Sequence, residues 1–153
     1  MGLIMKKQID SKMHSAEHLL NQTMGRMFGC ARSFNAHIEK RKSKCDYHFD
    51  RTLTEAEVRE IERRVNEIIK ADISITEEYL TKDEAEKEYI LDRLPEDVGN
   101  RIRIVKIGSY DACPCIGPHV DTTNQIGEFR ITSVSFKNNV LRIRYKLDES
   151  ATQ

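Results

Sequence analysis

Two short patterns far apart in the chain, His14-Ser15-Ala16-Glu17-His18 and Cys115-Ile116-Gly117-Pro118-His119, constrain the fold more than any other feature. Residues four apart on a helix project from successive turns of one face, so the His14 and His18 rings can converge on one point. Alone, such a pair is more often a surface or core feature than a ligand set. The second pattern adds a thiolate and an imidazole in a loop that can bend until both point inward, and Gly117 permits a turn that a bulkier residue would resist. Three imidazoles and a thiolate form a natural zinc set, poorly matched to magnesium or calcium. One ion held by all four side chains requires the first helix to pack against that distant loop. Cys113 competes with Cys115 as the ligand. Cys115 is preferred because Gly117 and Pro118 preform its shorter loop. A redox pairing of Cys113 with Cys115 is disfavoured, since redox pairs usually carry two residues between the thiols.

The rest of the sequence says where such a site would operate. Hydrophobic residues make up 39% of the 153-residue chain and charged residues 33%, the balance of one soluble globular domain spanning 1–153. No apolar run is long enough to cross a bilayer. Met1 to Lys7 lacks the apolar run and small-residue cleavage site of a secretory signal. Lys6 stands where myristoylation of Gly2 would want Ser or Thr. The expected compartment is the cytoplasm, where the four cysteines are free thiols or ligands rather than disulfides. Net charge is formally zero, so any nucleic-acid contact must be local. The clearest basic patch is Lys40-Arg41-Lys42-Ser43-Lys44, near Arg32 and His37. On charge alone a solvated hairpin loop is the favoured reading.

Periodicity places these residues on an α+β framework, a largely antiparallel sheet with two or three helices. Leu19, Leu20, Met24 and Met27 recur at helical spacing between Met13 and Phe28, with Gly29 as a stop. Alternation in 34–38 and 45–49 predicts two strands joined by the basic loop. Thr54 with Glu57 and Thr81 with Glu84 are capping boxes. They open a helix to about Ala71, with Val58, Ile61, Val65 and Ile68 inward, and a shorter one to about Leu91. Strands are expected around Ile73–Tyr79, at Arg101–Ile107 (apolar on much of both sides), at Phe129–Phe136 and at Val140–Leu147. Gly108 to Gly127 is expected to be loop. Asn138-Asn139 suits a tight hairpin turn, with Arg142 and Arg144 on the face away from Leu141 and Ile143.

His14-Ser15-Ala16-Glu17-His18 also matches the H-x-x-E-H pattern of inverzincin metalloproteases, in which the Glu activates zinc-bound water. A zinc peptidase is therefore a competing class. Against it, Cys115 is an unusual ligand for peptidase zinc, because a thiolate damps the Lewis acidity. Glu17 is then a helix-surface carboxylate.

The two patterns, in this order and at this separation, resemble the AlaX family and the related editing domain of alanyl-tRNA synthetase. The likeness extends through Val120, Thr122, Thr123, Ile126 and Gly127, and through Ile61-Glu62 and Asn66-Glu67-Ile68-Ile69. It implies a trans-editing hydrolase that removes serine, and glycine, from alanine tRNA, with one zinc per chain and no obligatory protein partner. It also implies a zinc that polarises the ester carbonyl, generates hydroxide or positions the substrate; four protein ligands leave that choice open. The chain departs from the family where Gly117-Pro118-His119 replaces Gly-Thr-His, which is similar to the threonyl-tRNA synthetase editing domain that clears serine from threonine tRNA. Glu17 also replaces a common Thr. Ser33, Asn35, Thr122, Thr123 and Glu17 are the candidate substrate-facing residues. Lys40, Arg41, Lys42, Lys44, Arg142 and Arg144 are the candidate contacts to the acceptor stem. A zinc-dependent RNA-binding module without turnover is the non-enzymatic alternative.

Overall fold

The computed structural model describes residues 10–92 and 94–149, so the Met1–Lys7 stretch discussed above lies outside it. Helix α1, Ser11–Phe28, starts where the Asp10 carboxylate accepts from the Met13 amide at 2.9 Å and stops at Gly29, in the left-handed region at φ 71°. Every residue from Met13 to Asn21 is buried, although His14, Ser15, Glu17, His18 and Asn21 are polar. One face of α1 enters the main core through Leu19, Leu20 and Met24, and the polar face is covered by a second part of the chain.

Strands β1 (Asn35–His37), β2 (Ser43–His48), β6 (Glu128–Lys137) and β7 (Val140–Asp148) form an antiparallel sheet in the order β1-β2-β7-β6. Its inner face brings Cys45, Tyr47, Leu141, Ile143 and Tyr145 against α1 and against helix α2, Glu55–Lys70. The capping box of Thr54 and Glu57 opens α2 as its sequence demands. The buried stripe is Ile61, Val65 and Ile69, with Val58 and Ile68 at its margin. Edge strand β6 is covered by α2: Asn66 exchanges two hydrogen bonds with the Phe129 backbone, and Glu62 accepts from the Ile131 amide. Asn138 and Asn139 turn the β6–β7 hairpin with φ of 52° and 62°.

The remaining strands do not join that sheet. β3 (Ile75–Thr81), β4 (Arg101–Ile107) and β5 (Asp111–Pro114) form a second antiparallel sheet in the order β3-β4-β5. Helix α3, Lys82–Glu88, opens on the Thr81 capping box and packs Ala85 on Ile102 and Ile104. It ends before Leu91 because Tyr89 is already extended. From the other side of β4, Ile107 reaches the main core, which explains why this strand is apolar on both faces. β5 and a short 3-10 turn, Thr123–Ile126, both lie within the stretch expected to be loop. Among the described residues, no helix is long and apolar enough to cross a membrane.

Candidate metal centre

Hydrogen bonds between α1 and the β4–β5 hairpin fix the distance between the two ligand pairs. Thr23 Oγ1 meets the Tyr110 hydroxyl at 2.6 Å, Arg26 donates to the Tyr110 carbonyl, and Gln22 donates to Asp111. Arg103 holds the ligand loop itself. Its carbonyl accepts from the Cys115 amide, and its Nη1 donates to the carbonyls of Cys115 at 3.0 Å and Gly117 at 2.7 Å. Glu77 pairs with the other arm of the guanidinium at 2.9 Å.

The result is a cluster in which ligand atoms of His14, His18, Cys115 and His119 all lie within 4.8 Å of one another, a set that could hold a metal ion. Cys115 Sγ is 3.4 Å from His14 Nε2 and 3.5 Å from His119 Nε2. Each ring has a partner for its other nitrogen. His14 Nδ1 is 3.0 Å from the Pro118 carbonyl, His119 Nδ1 is 2.9 Å from Ser15 Oγ, and His18 Nδ1 is 3.4 Å from Asp111 Oδ2. The last contact is an ion pair rather than an aligned hydrogen bond, since His18 Nδ1 is buried and otherwise unpartnered. Holding Nδ1 in this way turns the Nε2 atoms of His14 and His119 toward Cys115, the arrangement that orients imidazole ligands around a cation.

Electrostatics points to the same chemistry. Burial would raise the Cys115 thiol, but hydrogen bonds from His119, His14 and His18 and the charge of His18 pull it down to about 3. Burial would lower His18, but the Asp111 carboxylate and the Cys115 thiolate raise it to about 9. Burial also pushes the Cys113 thiol up to about 12. Cys113 Sγ faces its neighbouring carbonyl at Pro114 and stands outside the cluster of four. Asp111 is buried yet stays ionised, held well below the carboxylate range by His18 and by two hydrogen bonds from Arg32, at 2.9 and 3.2 Å. Arg32 therefore serves this centre and not the basic patch beside which it stands in the sequence.

Gly117 has a different reason from the turn inferred above. A β-carbon there would lie 2.6 Å from His14 Nδ1, inside the imidazole's own contact distance, so the ring packs directly on the glycine backbone. Glu17 is not a helix-surface carboxylate. It is 8% exposed, with Oε1 3.6 Å from His14 Nε2 and Oε2 accepting from Asn21.

The other candidates scatter. Thr123 is fully buried, its hydroxyl donating to the Ile68 carbonyl at 2.7 Å and accepting from the Ile73 amide, so it caps the α2–β3 connection. Thr122 pairs with Ser74 in an isolated bridge. Ser33 is buried and donates to the Asn35 carbonyl, while Asn35 is exposed and donates to Asp46. Lys40, Arg41 and Lys42 are exposed between β1 and β2, with Lys44 on β2 opposite Arg144 of β7. Arg142 is committed to Asp46 through contacts of 2.7 and 2.9 Å, and Arg144 donates to Ser133. Ser15, Arg103 and Asp111 were not singled out from the sequence. Only Arg103 carried a signal there, as a cation between Arg101 and the apolar Val105 and Ile107 on one strand face.

The family model described as threonyl and alanyl tRNA synthetase second additional domain matches residues 102–144, the stretch from β4 through the ligand loop into β7. Alanine–tRNA ligase of Treponema denticola is 32% identical over 149 residues, covering 96% of this chain and 25% of that protein. The Methanopyrus kandleri enzyme is 29% identical over 147 residues, 94% of this chain and 16% of its own length. The chain is a relative of the second additional domain shared by threonyl and alanyl tRNA synthetases. It spans a quarter or less of the length of these ligases, and the alignments contain both halves of the metal centre.

Proposed function

We propose that residues 1–153 act as one editing domain, a zinc-dependent hydrolase that cleaves serine, and glycine, from wrongly charged alanine tRNA. The observation that carries this reading is the convergence of three imidazoles and one thiolate within 4.8 Å of one another, in a relative of alanine–tRNA ligases. Zinc held by His14, His18, Cys115 and His119 supplies Lewis acidity toward the ester carbonyl or a bound water. Asp111, Ser15 and the Pro118 carbonyl hold the imidazoles in register, and Arg103 keeps the Cys115–Gly117 backbone in place. Lys40, Arg41 and Lys42, with Lys44 and Arg144, offer exposed charge for acceptor-stem phosphates, while Arg142 is neutralised by Asp46. A protein working on charged tRNA belongs in the cytoplasm.

The need for such an enzyme is physical. A pocket shaped for alanine cannot strongly reject a ligand differing by one hydroxyl or one methyl group, so a second site must clear the errors. A panel of charged tRNAs tests the reading. Serine should leave alanine tRNA about 100-fold faster than alanine does, if a polar contact to the hydroxyl governs selection. Faster release from serine-charged threonine tRNA would transfer the substrate to the threonyl type, the reading favoured by Gly117-Pro118-His119. Tight tRNA binding without release of any amino acid would leave an RNA-binding module. Peptide cleavage abolished by Glu17→Gln would leave a peptidase.

A further inference from the structure

Glu17 is a carboxylate that the four-ligand centre does not require. It lies between two ligands on α1 and is 8% exposed. A polar chain holds it from behind. Asn21 Nδ2 donates to Oε2 at 3.4 Å, while Asn21 Oδ1 accepts from the Tyr47 hydroxyl at 2.7 Å and from the Ser33 amide at 3.1 Å. The other oxygen, Oε1, faces the centre, 3.6 Å from His14 Nε2, the same nitrogen that points at Cys115 Sγ. Among the described residues, no Lys or Arg pairs with Glu17 and no donor hydrogen-bonds Oε1.

The contrast with Asp111 is informative, because that buried carboxylate is clamped by Arg32 and His18. Once a cation occupies His14 Nε2, that nitrogen has no proton to offer Oε1. Oε1 then borders the site with no protein donor among the described residues, an acceptor that a ligand can complete. The ligand must bring donors, and a positive charge matches a buried carboxylate better than a hydroxyl does.

We propose that Glu17 anchors the free α-ammonium group of the aminoacyl ester, and so makes an unblocked amine a condition of binding. This rests on the deacylase reading and deepens it. The ammonium is bonded to the carbon next to the reacting carbonyl, so its capture at Oε1 places the carbonyl beside the four-ligand cluster. Esters whose amine is already acylated, such as peptidyl-tRNA, lack the charge and are refused.

The test is binding to the zinc-loaded full chain by titration calorimetry. The probes are a non-hydrolysable adenosine carrying serine through a 3′-amide, and the same compound acetylated on the serine nitrogen. The wild-type chain should prefer the free amine by about 10-fold or more. Glu17→Gln should bind both probes alike while keeping full zinc content and an unchanged melting temperature. Glu17→Asp, which keeps the charge on a shorter arm, should restore part of the preference. Equal binding of both probes by the wild type, an intact preference in Glu17→Gln, or loss of zinc from Glu17→Gln would each overturn the proposal. A wild-type chain that shows the preference but hydrolyses no charged tRNA would retire the deacylase reading and keep the anchor. One that hydrolyses seryl-tRNA(Ala) yet binds both probes alike would do the reverse.

Discussion

At the metal centre each imidazole has its second nitrogen engaged, by the Pro118 carbonyl, the Ser15 hydroxyl or the Asp111 carboxylate. Around the β1–β2 connection, by contrast, Lys40, Arg41 and Lys42 stand exposed. The first region is specified by geometry and the second by charge alone. Groups fixed in a buried network cannot be replaced one at a time, because each removal leaves another group unmatched. Exposed cations act collectively, through the counterions that they displace. Effects of substitution should therefore fall from one region to the other.

The largest effect should come from the ligands. Purified wild-type chain should carry about one zinc, and His18→Ala or Cys115→Ala should carry almost none by elemental analysis. Gly117→Ala should behave like a ligand deletion, since its new methyl group collides with the His14 ring. Cys113→Ala should keep its zinc; loss there with retention in Cys115→Ala would move the ligand to Cys113. Next comes the support behind His18. Asp111→Asn should weaken zinc about 10- to 100-fold in a chelator competition, and an unchanged affinity would show that the 3.4 Å contact orients nothing.

A pH series sharpens the comparison further. In the metal-free chain His18 is raised to about 9, so it is protonated at neutral pH and the proton competes with the metal. Cys115, lowered to about 3, is already a thiolate and presents no such competition. Zinc affinity should thus fall as pH drops below 9, by about 10-fold per unit, and level off above it. A plateau reached already at pH 6.5 would contradict the raised His18. The smallest effect per residue belongs to the loop. Replacing Lys40, Arg41 and Lys42 together by Gln should lower the slope of log affinity for tRNA against log salt by about 2. Zinc content should not change, and an unaltered slope would assign tRNA binding to another surface.

Sequence patterns were sufficient where the cause is local. The two capping boxes, the Gly29 stop, the Asn138-Asn139 turn and the Arg101–Ile107 strand all follow from residues within a turn or a strand. The meeting of the first helix with a late loop was legible too, because ligand chemistry is distinctive at short spacing. Contributions decided by tertiary docking were not. Ser15 matters only because His119 arrives 104 residues later, and Asp111 only because α1 packs on the strand that bears it. β5 was missed because Asp111-Ala112-Cys113-Pro114 is too short and mixed to show a period. The division into two sheets depends on which strands exchange hydrogen bonds, and strand periodicity carries no pairing information.

The sequence distance between the two halves of the centre also sets a timetable. His14 and Cys115 touch across 101 residues of chain. On a ribosome, α1 emerges with two histidines and no partner for them, and Cys115 follows only after both β3 and β4 have been made. Growing chains made at about 5–20 residues per second would spend roughly 5–20 s with half a ligand set. Stable metal capture must wait until β4 and β5 present the second half. A nascent chain stalled before Cys115 should leave zinc in the medium, and one stalled beyond β7 should take it up.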